Sequence, residues 1–205
     1  MRSKDYFDQV AGQWDDMRSG FFSEKVRESA YEAAAVQSGK RAADIGAGTG
    51  FVTEGLVRRG LGVIAVDQSK AMLGELKKKY PAIDCRHGEA ENLPLDDDAV
   101  DYVFANMYLH HVERPPEAVK EMVRILKKGG RLVVTDLDEH DFAFLKHEHH
   151  DRWMGFRRDD IANWFRASNL HDVTVACVGQ NCCADSATGS GSAKVSIFVA
   201  SGTKK

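Results

Sequence analysis

What the chain does without narrows its function before any motif is read. No window approaches the roughly 18 uncharged apolar residues that a membrane span requires, so no membrane setting is expected. No charge of one sign dominates: the formal net charge is −3 and the sequence pI is about 6.2. Such a weak field does not gather polyanions, so nucleic acid is not expected as a partner. Cysteine is scarce, with four in 205 residues, and Cys85, Cys177, Cys182 and Cys183 show no disulfide-framework spacing. The opening "MRSKDYFDQVAGQWDD" holds no apolar run of the export type. Reduced thiols and a cytoplasmic location are the expectation. Repeats are absent, and the nearest approach to low complexity is "ADSATGSGSA" at 184–193, read as a loop.

What remains is an ordinary globular composition, 43% hydrophobic and 29% charged, over a length that suits one domain with a sizeable core. A monomer or homodimer acting on a small-molecule substrate is expected. Apolar periodicity alternates between short strands and longer helices. Residues 23–37 read as a helix stopped by Gly39, "RAADIG" as a buried strand and "GFVTEGLVRRG" as the next helix. "LGVIAVD" is a β-branched strand closing on Asp67, and "SKAMLGELKKKY" a helix with Ser69 as N-cap. "AIDCRHG" and "AVDYVFAN" are strands, residues 115–128 a helix with proline in its first turn, and "RLVVTDLD" a further strand. Helical stretches around 141–154 and 158–168 lead to two closing strands, "HDVTVACVG" and "KVSIFVASG". This alternation predicts an α/β protein with a mostly parallel sheet and helices on both faces. The last two strands have no helix between them and are expected to pair antiparallel.

The stretch "ADIGAGTG", residues 43–50, places Gly46 and Gly48 between a strand and a helix. Glycine there allows a tight turn and a close ligand approach beside the positive end of the following helix. Asp67 closes the next strand, where an acid accepts hydrogen bonds from both hydroxyls of an adenosine ribose. The spacing is G-x-G-x-G and not the dinucleotide pattern G-x-G-x-x-G. Asp44 also stands just ahead of the first glycine. A buried carboxylate needs a partner, either a backbone amide or a ligand, and the ligand is the reading adopted here. Asp44 would repel a pyrophosphate and attract an ammonium. An adenosine compound with a positive charge fits, and S-adenosylmethionine carries both an amino group and a sulfonium.

At these residues the chain resembles the class I S-adenosylmethionine-dependent methyltransferases, and most closely the ubiquinone/menaquinone-biosynthesis type. "ADIGAGTG", "VIAVDQS", "GEAENLPLDDDAVDYVFANMYLHHV" and "EMVRILKKGGRLVVTDLD" match the family's motifs in order. The resemblance implies a Rossmann-like, seven-stranded sheet ending in an antiparallel pair. It implies a helical lid over 1–38, a cofactor-binding half over 39–140 and a substrate-side half over 141–205. S-adenosylmethionine is the cofactor it implies, with Gly46, Ala47 and Gly48 along the methionine portion and Asp67 on the ribose. Gln68 and Met72 would flank the adenine, Glu89 and the Ala90 amide would bond its edge, and Asn106 would lie near the amino-acid end. Tyr6, Phe7 and Trp14 would cover the cofactor. Glu89 departs slightly from the family's usual aspartate.

For the chemistry, methyl transfer gains mainly from positioning, desolvation and a deprotonated nucleophile. His110 and His111 follow the fourth strand, and histidine is the natural base near neutral pH. A second His/Cys cluster lies further on. His147 with His150 or Asp151 would share one helix face, and the vicinal Cys182 and Cys183 sit in a stretch read as a loop. Such ligands suit zinc or a metalloid, so a metal- or metalloid-binding protein is the alternative function. A looser likeness links this tail to methyltransferases found with arsenic-repressor-type regulators. Those usually carry a cysteine where this chain has "ANMYLHH", leaving Cys177, Cys182 and Cys183 as replacements. An NAD-dependent oxidoreductase is the third reading, opposed by Asp44 and by the closing strand pair.

Overall fold

A computed structural model of the chain describes residues 3–148, 150–186, 189 and 191–205. Seven strands are formed: β1 (Arg41–Ile45), β2 (Gly62–Asp67), β3 (Asp84–His87), β4 (Val100–Asn106), β5 (Leu126–Leu137), β6 (Leu170–Asp185) and β7 (Ser192–Lys204). They build one sheet in the order β3-β2-β1-β4-β5-β7-β6. β1 to β5 run parallel, and β7 is antiparallel to both β5 and β6. The helices are α1 (Ser3–Val10), α2 (Trp14–Phe21), α3 (Lys25–Ala34), α4 (Phe51–Arg58), α5 (Lys70–Lys79), α6 (Pro115–Arg124), α7 (Ala143–Glu148) and α8 (Arg158–Ala167).

Side chains alternate across the strands and sort into two cores. Ala43, Ile45, Val103 and Leu132 pack with Met122 of α6 and Phe165 of α8. Ala42, Ala65, Phe104 and Val133 pack with Tyr31 of α3 and Leu56 of α4. With both faces covered, the open edge lies at the carboxyl ends of the strands. The chain runs from β1 outward to β3 and returns to β4 on the other side of β1, so the strand order reverses there. A crevice opens at such a reversal, and the glycine loop after β1 and Asn106 at the end of β4 both border it.

Four expected boundaries moved. The helix at 115–128 stops at Arg124, because Ile125 and Leu126 are fully buried and strand pairing already begins at Leu126. The helix at 23–37 ends at Ala34, with Ala35 left-handed at φ +49. The stretch at 141–154 is helical only over Ala143–Glu148. His150 has φ +59, and the amides of Arg152 and Trp153 both donate to the His110 carbonyl at 3.0 Å, which turns the chain back toward β4. The closing strands outrun the pattern. β6 continues to Asp185 past an irregularity between Cys177 and Asn181, where Gly179 at φ +71 breaks the alternation. The stretch "CVGQNCCADS" is therefore mostly strand. Within the expected loop at 184–193, Ala184 pairs with Ala193 and Asp185 with Ser192, while residues 187, 188 and 190 lie outside the described residues. No helix among the described residues is long and apolar enough to cross a membrane.

Gly155 shows how tightly the returning segment is pressed on the sheet. At φ +69, a β-carbon there would stand 2.1 Å from the Asp138 carbonyl oxygen. Gly155→Ala is expected to destabilise the protein by about 1–3 kcal/mol. Chemical denaturation checks this, and an unchanged midpoint would contradict the close approach.

Candidate active site

The glycine loop is pinned before any ligand arrives. The amides of Gly46 and Ala47 donate to the Val66 carbonyl at 2.8 and 3.1 Å, which ties the loop to the end of β2. Gly50 occupies the N-cap of α4 and has no side chain to cap it. Asp44 does that work from β1. Its Oδ2 accepts from the Thr53 amide at 2.9 Å and the Thr53 hydroxyl at 2.7 Å, satisfying an orphan donor of the helix's first turn. Burial pushes this carboxyl up to about 7, with the two Thr53 bonds pulling the other way. Asp44 does not line the crevice. A backbone amide and a hydroxyl thus already answer this acid.

Asp67 holds the other side of the crevice. It accepts from the Gly48 amide and the Ser69 amide, both at 2.8 Å. Burial raises its carboxyl to about 6, against the pull of those amides. A cavity of about 540 Å³ lies here, lined by Gly46, Ala47, Gly48, Asp67, Met72, Asn106 and Trp14. With Phe7, eight expected cofactor residues are therefore brought together. Phe7, Arg18, Tyr108 and His111 complete the wall. Gln68 and Glu89 line an adjoining hollow that shares Tyr108 and His111. Tyr6 lines a second cavity.

α1 and α2 bury none of their own residues. They are tied to the crevice by side chains. Ser69 Oγ donates to Asp8 at 2.6 Å, Thr49 Oγ1 donates to Asp15 at 2.6 Å, and Lys79 pairs with Asp15. The Trp14 indole nitrogen stands 3.7 Å from where a Gly48 β-carbon would be.

Tyr108 is the one side chain at odds with the expected contacts. Its ring lies so close that a β-carbon on Gly46 would be 2.2 Å from it. Burial, above all, pushes its hydroxyl well above the usual range, with Asp67 adding to the rise and the Ala90 amide pulling the other way. The residue before it, Met107, is left-handed at φ +49. Tyr108 therefore fills space against Gly46.

Beside the first cavity lies a second of about 510 Å³, walled by Tyr6, Phe7, Trp14, Phe21, Phe22, Met107, Leu137 and Leu145. Its polar residues are His110, His111, Asp151 and Cys182. His110 Nδ1 stands 2.6 Å from Asp136 Oδ1 at the end of β5, and its Nε2 is 3.7 Å from Asp151 Oδ1. His111 Nδ1 is 3.9 Å from the same oxygen. Burial works against a charged His110, but Asp136 and Asp151 outweigh it and hold the imidazole up at about 9.

The expected C-terminal metal cluster is not assembled. His147 is exposed near the end of α7, the helix does not continue to His150, and Asp151 turns under His110. His150 instead packs its ring on Tyr6 at 5.0 Å. Cys182 and Cys183 are neighbours on β6 and alternate across it: Cys182 lines the cavity and Cys183 is exposed. Burial, then Asp151, pushes the Cys182 thiol up to about 12, so it stays protonated. Cysteines 85, 177, 182 and 183 are all free.

Three residues escaped the sequence reading. Arg18 follows Trp14 by one helical turn and shares its face, a signal that was readable. Asp136 closes β5 as Asp67 closes β2, and the same strand-end logic applied to it. Tyr108 carried no sequence signal.

Comparison with known proteins agrees with this geometry. Residues 43–134 match the methyltransferase domain family. A demethylmenaquinone methyltransferase of Renibacterium salmoninarum is 36% identical over 140 residues, covering 67% of this chain and 59% of that protein. A 2-methyl-6-phytyl-1,4-hydroquinone methyltransferase of Arabidopsis thaliana is 30% identical over 166 residues, covering 78% of this chain and 49% of that protein. The chain thus spans about half to three-fifths of the length of these relatives. In fold it is similar to a SAM-dependent methyltransferase of Thermotoga maritima, with TM-score 0.70 and 23% identity over the whole of both chains. Residues 43–134 thus carry a methyltransferase domain, and the whole chain shares the fold of this neighbour.

The cradle fits that family's cofactor: left-handed glycines at φ +69 and +54 face a cavity that a strand-end carboxylate borders. As a carboxylate, Asp67 would best accept the ribose hydroxyls that the resemblance assigns to it. Affinity for S-adenosylhomocysteine, measured by calorimetry, is therefore expected to be level above about pH 7 and to fall by up to about tenfold per unit below 6. Constant affinity down to about pH 5 would contradict the assignment. Tyr108→Ala clears the space over Gly46, so it is expected to tighten the same binding severalfold. Weaker binding would make Tyr108 part of the cofactor's wall.

Proposed function

We propose that this chain transfers a methyl group from S-adenosylmethionine to a small aromatic acceptor bearing a hydroxyl group, of the hydroquinone class. The observation that carries the reading is the shared wall of the two cavities. Phe7, Trp14, Phe22, Met107 and His111 border both, so a compound in the second cavity meets the first across one layer of side chains. The apolar and aromatic walls suit a planar ring, and the polar residues His110, His111 and Asp151 suit its hydroxyl. The relatives named for quinone and hydroquinone methylation support that acceptor class.

Gly46, Gly48, Asp67, Met72 and Asn106 would hold the cofactor, with Arg18, the single guanidinium lining that cavity, toward its carboxylate. When bound, S-adenosylmethionine supplies an electrophilic methyl on a sulfonium. The chain's own contribution is placement, exclusion of water and a proton acceptor. The lid aromatics Phe7 and Trp14 cover both cavities and keep water from the path of transfer. His110, protonated at neutral pH, positions Asp151, and the Asp151 carboxylate accepts the hydroxyl proton as the ring becomes nucleophilic. This revises the expected role of His110 from base to positioning group. The four free thiols support the cytoplasm as the setting.

Radiolabelled methyl transfer to a panel of hydroquinones tests the reading. Asp151→Asn is expected to lower kcat by about 10²–10⁴, with S-adenosylhomocysteine affinity within about threefold of the parent. Full turnover in that variant would contradict the role of Asp151, and no transfer to any phenolic acceptor would contradict the substrate class.

A further inference from the structure

The densest set of metal-ligating atoms among the described residues lies in the polar floor of the second cavity. One nitrogen each from His110 and His111 and a carboxylate oxygen of Asp151 all fall within 4.8 Å of one another. Their side chains are only 6%, 6% and 5% exposed. Asp151 Oδ1 is 3.7 Å from His110 Nε2 and 3.9 Å from His111 Nδ1. Ligand atoms around a tetrahedral zinc, each bound at about 2.0–2.1 Å, stand about 3.4 Å apart. The two measured pairs need to close by only about half an ångström to reach that geometry.

Two further features set this cluster apart from a chance meeting of polar groups. His110 turns its other nitrogen to Asp136 at 2.6 Å. That is the carboxylate–histidine arrangement which fixes the ring of a metal-bound histidine and strengthens it as a ligand. Asp136 is itself held, accepting from the Leu137 amide at 2.7 Å and the His110 amide at 3.3 Å. The second feature is charge. Asp136 and Asp151 bring two carboxylates into a buried region, and no lysine or arginine lines the cavity. A divalent cation carries the matching charge.

We propose that His110, His111 and Asp151 form a three-ligand site for one divalent transition-metal ion of the zinc class. Two imidazoles and one carboxylate suit zinc and its first-row neighbours better than calcium or magnesium. Three protein ligands leave a position open, and here it faces the apolar cavity, as in sites where a metal receives an exogenous ligand. Binding the ion releases the His110 proton and engages Asp151, so the ion then takes over from the Asp151 carboxylate and holds an anionic oxygen or sulfur of the acceptor at that position, a clause that rests on the methyl-transfer reading. Binding of the ion does not. The site shares only Asp151 with the dispersed cluster of His147, His150, Cys182 and Cys183.

Cobalt(II) is the probe, because tetrahedral cobalt absorbs far more strongly in the visible than octahedral cobalt in water. Metal-free protein titrated with cobalt chloride is expected to develop intense visible bands that saturate at one ion per chain and vanish on adding zinc. His111→Ala and Asp151→Ala are expected to weaken binding at least about 100-fold, and Asp136→Asn about 10–100-fold. Cys182→Ser is expected to leave binding unchanged. Failure of the parent protein to develop these bands overturns the proposal, whatever the variants do. So does full affinity in a folded Asp151→Ala, or loss of binding in Cys182→Ser. Binding of S-adenosylhomocysteine is measured separately on metal-free protein. Its absence alongside intact cobalt binding would sink the methyl-transfer reading and leave the metal site standing.

Discussion

The bond between Asp44 and Thr53 is the constraint from which the crevice is built. Gly50 gives the chain the left-handed turn it needs to leave the glycine loop and enter α4, but glycine cannot cap the helix it starts. The cap comes instead from the preceding strand, across the turn. Burying a carboxylate is unfavourable, and the rise of Asp44 to about 7 measures how unfavourable its surroundings are to charge. The gain is that the start of α4, the glycine loop and β1 are locked to one another without any side chain entering the crevice. The loop glycines then need no side chain of their own, and their backbone is left bare at the cavity wall.

A second set of ties brings distant parts of the chain to the same edge. β4 and β5 are neighbours, so the acid ending β5 reaches the helical turn that follows β4, and Asp136 seizes His110. The His110 carbonyl then takes the amides of Arg152 and Trp153, and Trp153 Nε1 donates to the Val112 carbonyl at 2.9 Å. These backbone bonds place Asp151 beside both histidines. α1 and α2 are tied to the crevice through Asp8 and Asp15, which accept from the hydroxyls of Ser69 and Thr49. The two cavities are thus consequences of strand order and of a few buried acids, each bound to a backbone or hydroxyl donor.

Much of this was legible in the sequence, for a physical reason. Glycines with positive φ and acids at strand ends are local necessities, so Gly46, Gly48, Asp67 and the strands around them announce themselves. Proline at the start of α6 and Ser69 at the start of α5 are equally local. The partner of Asp44 was not legible: an amide and a ligand satisfy a buried acid equally well until the geometry is known. Tyr6 and Asp151 depend on where a separate segment folds back, which periodicity does not report. The second half of β6 was hidden because Gly179 interrupts its alternation, and Cys182 and Cys183 accordingly looked like loop thiols. Asp136 and Arg18, by contrast, obeyed rules already applied to their neighbours and were overlooked.

The central claim is that the crevice over the glycine loop takes the cofactor and opens onto the second cavity. A crystal structure of the complex with S-adenosylhomocysteine measures this most directly. The account requires the ribose hydroxyls on Asp67, the methionine portion along Gly46 to Gly48, and the sulfur directed across His111 and Met107 toward His110 and Asp151. A ligand bound elsewhere, or one whose sulfur points away from the second cavity, would contradict it.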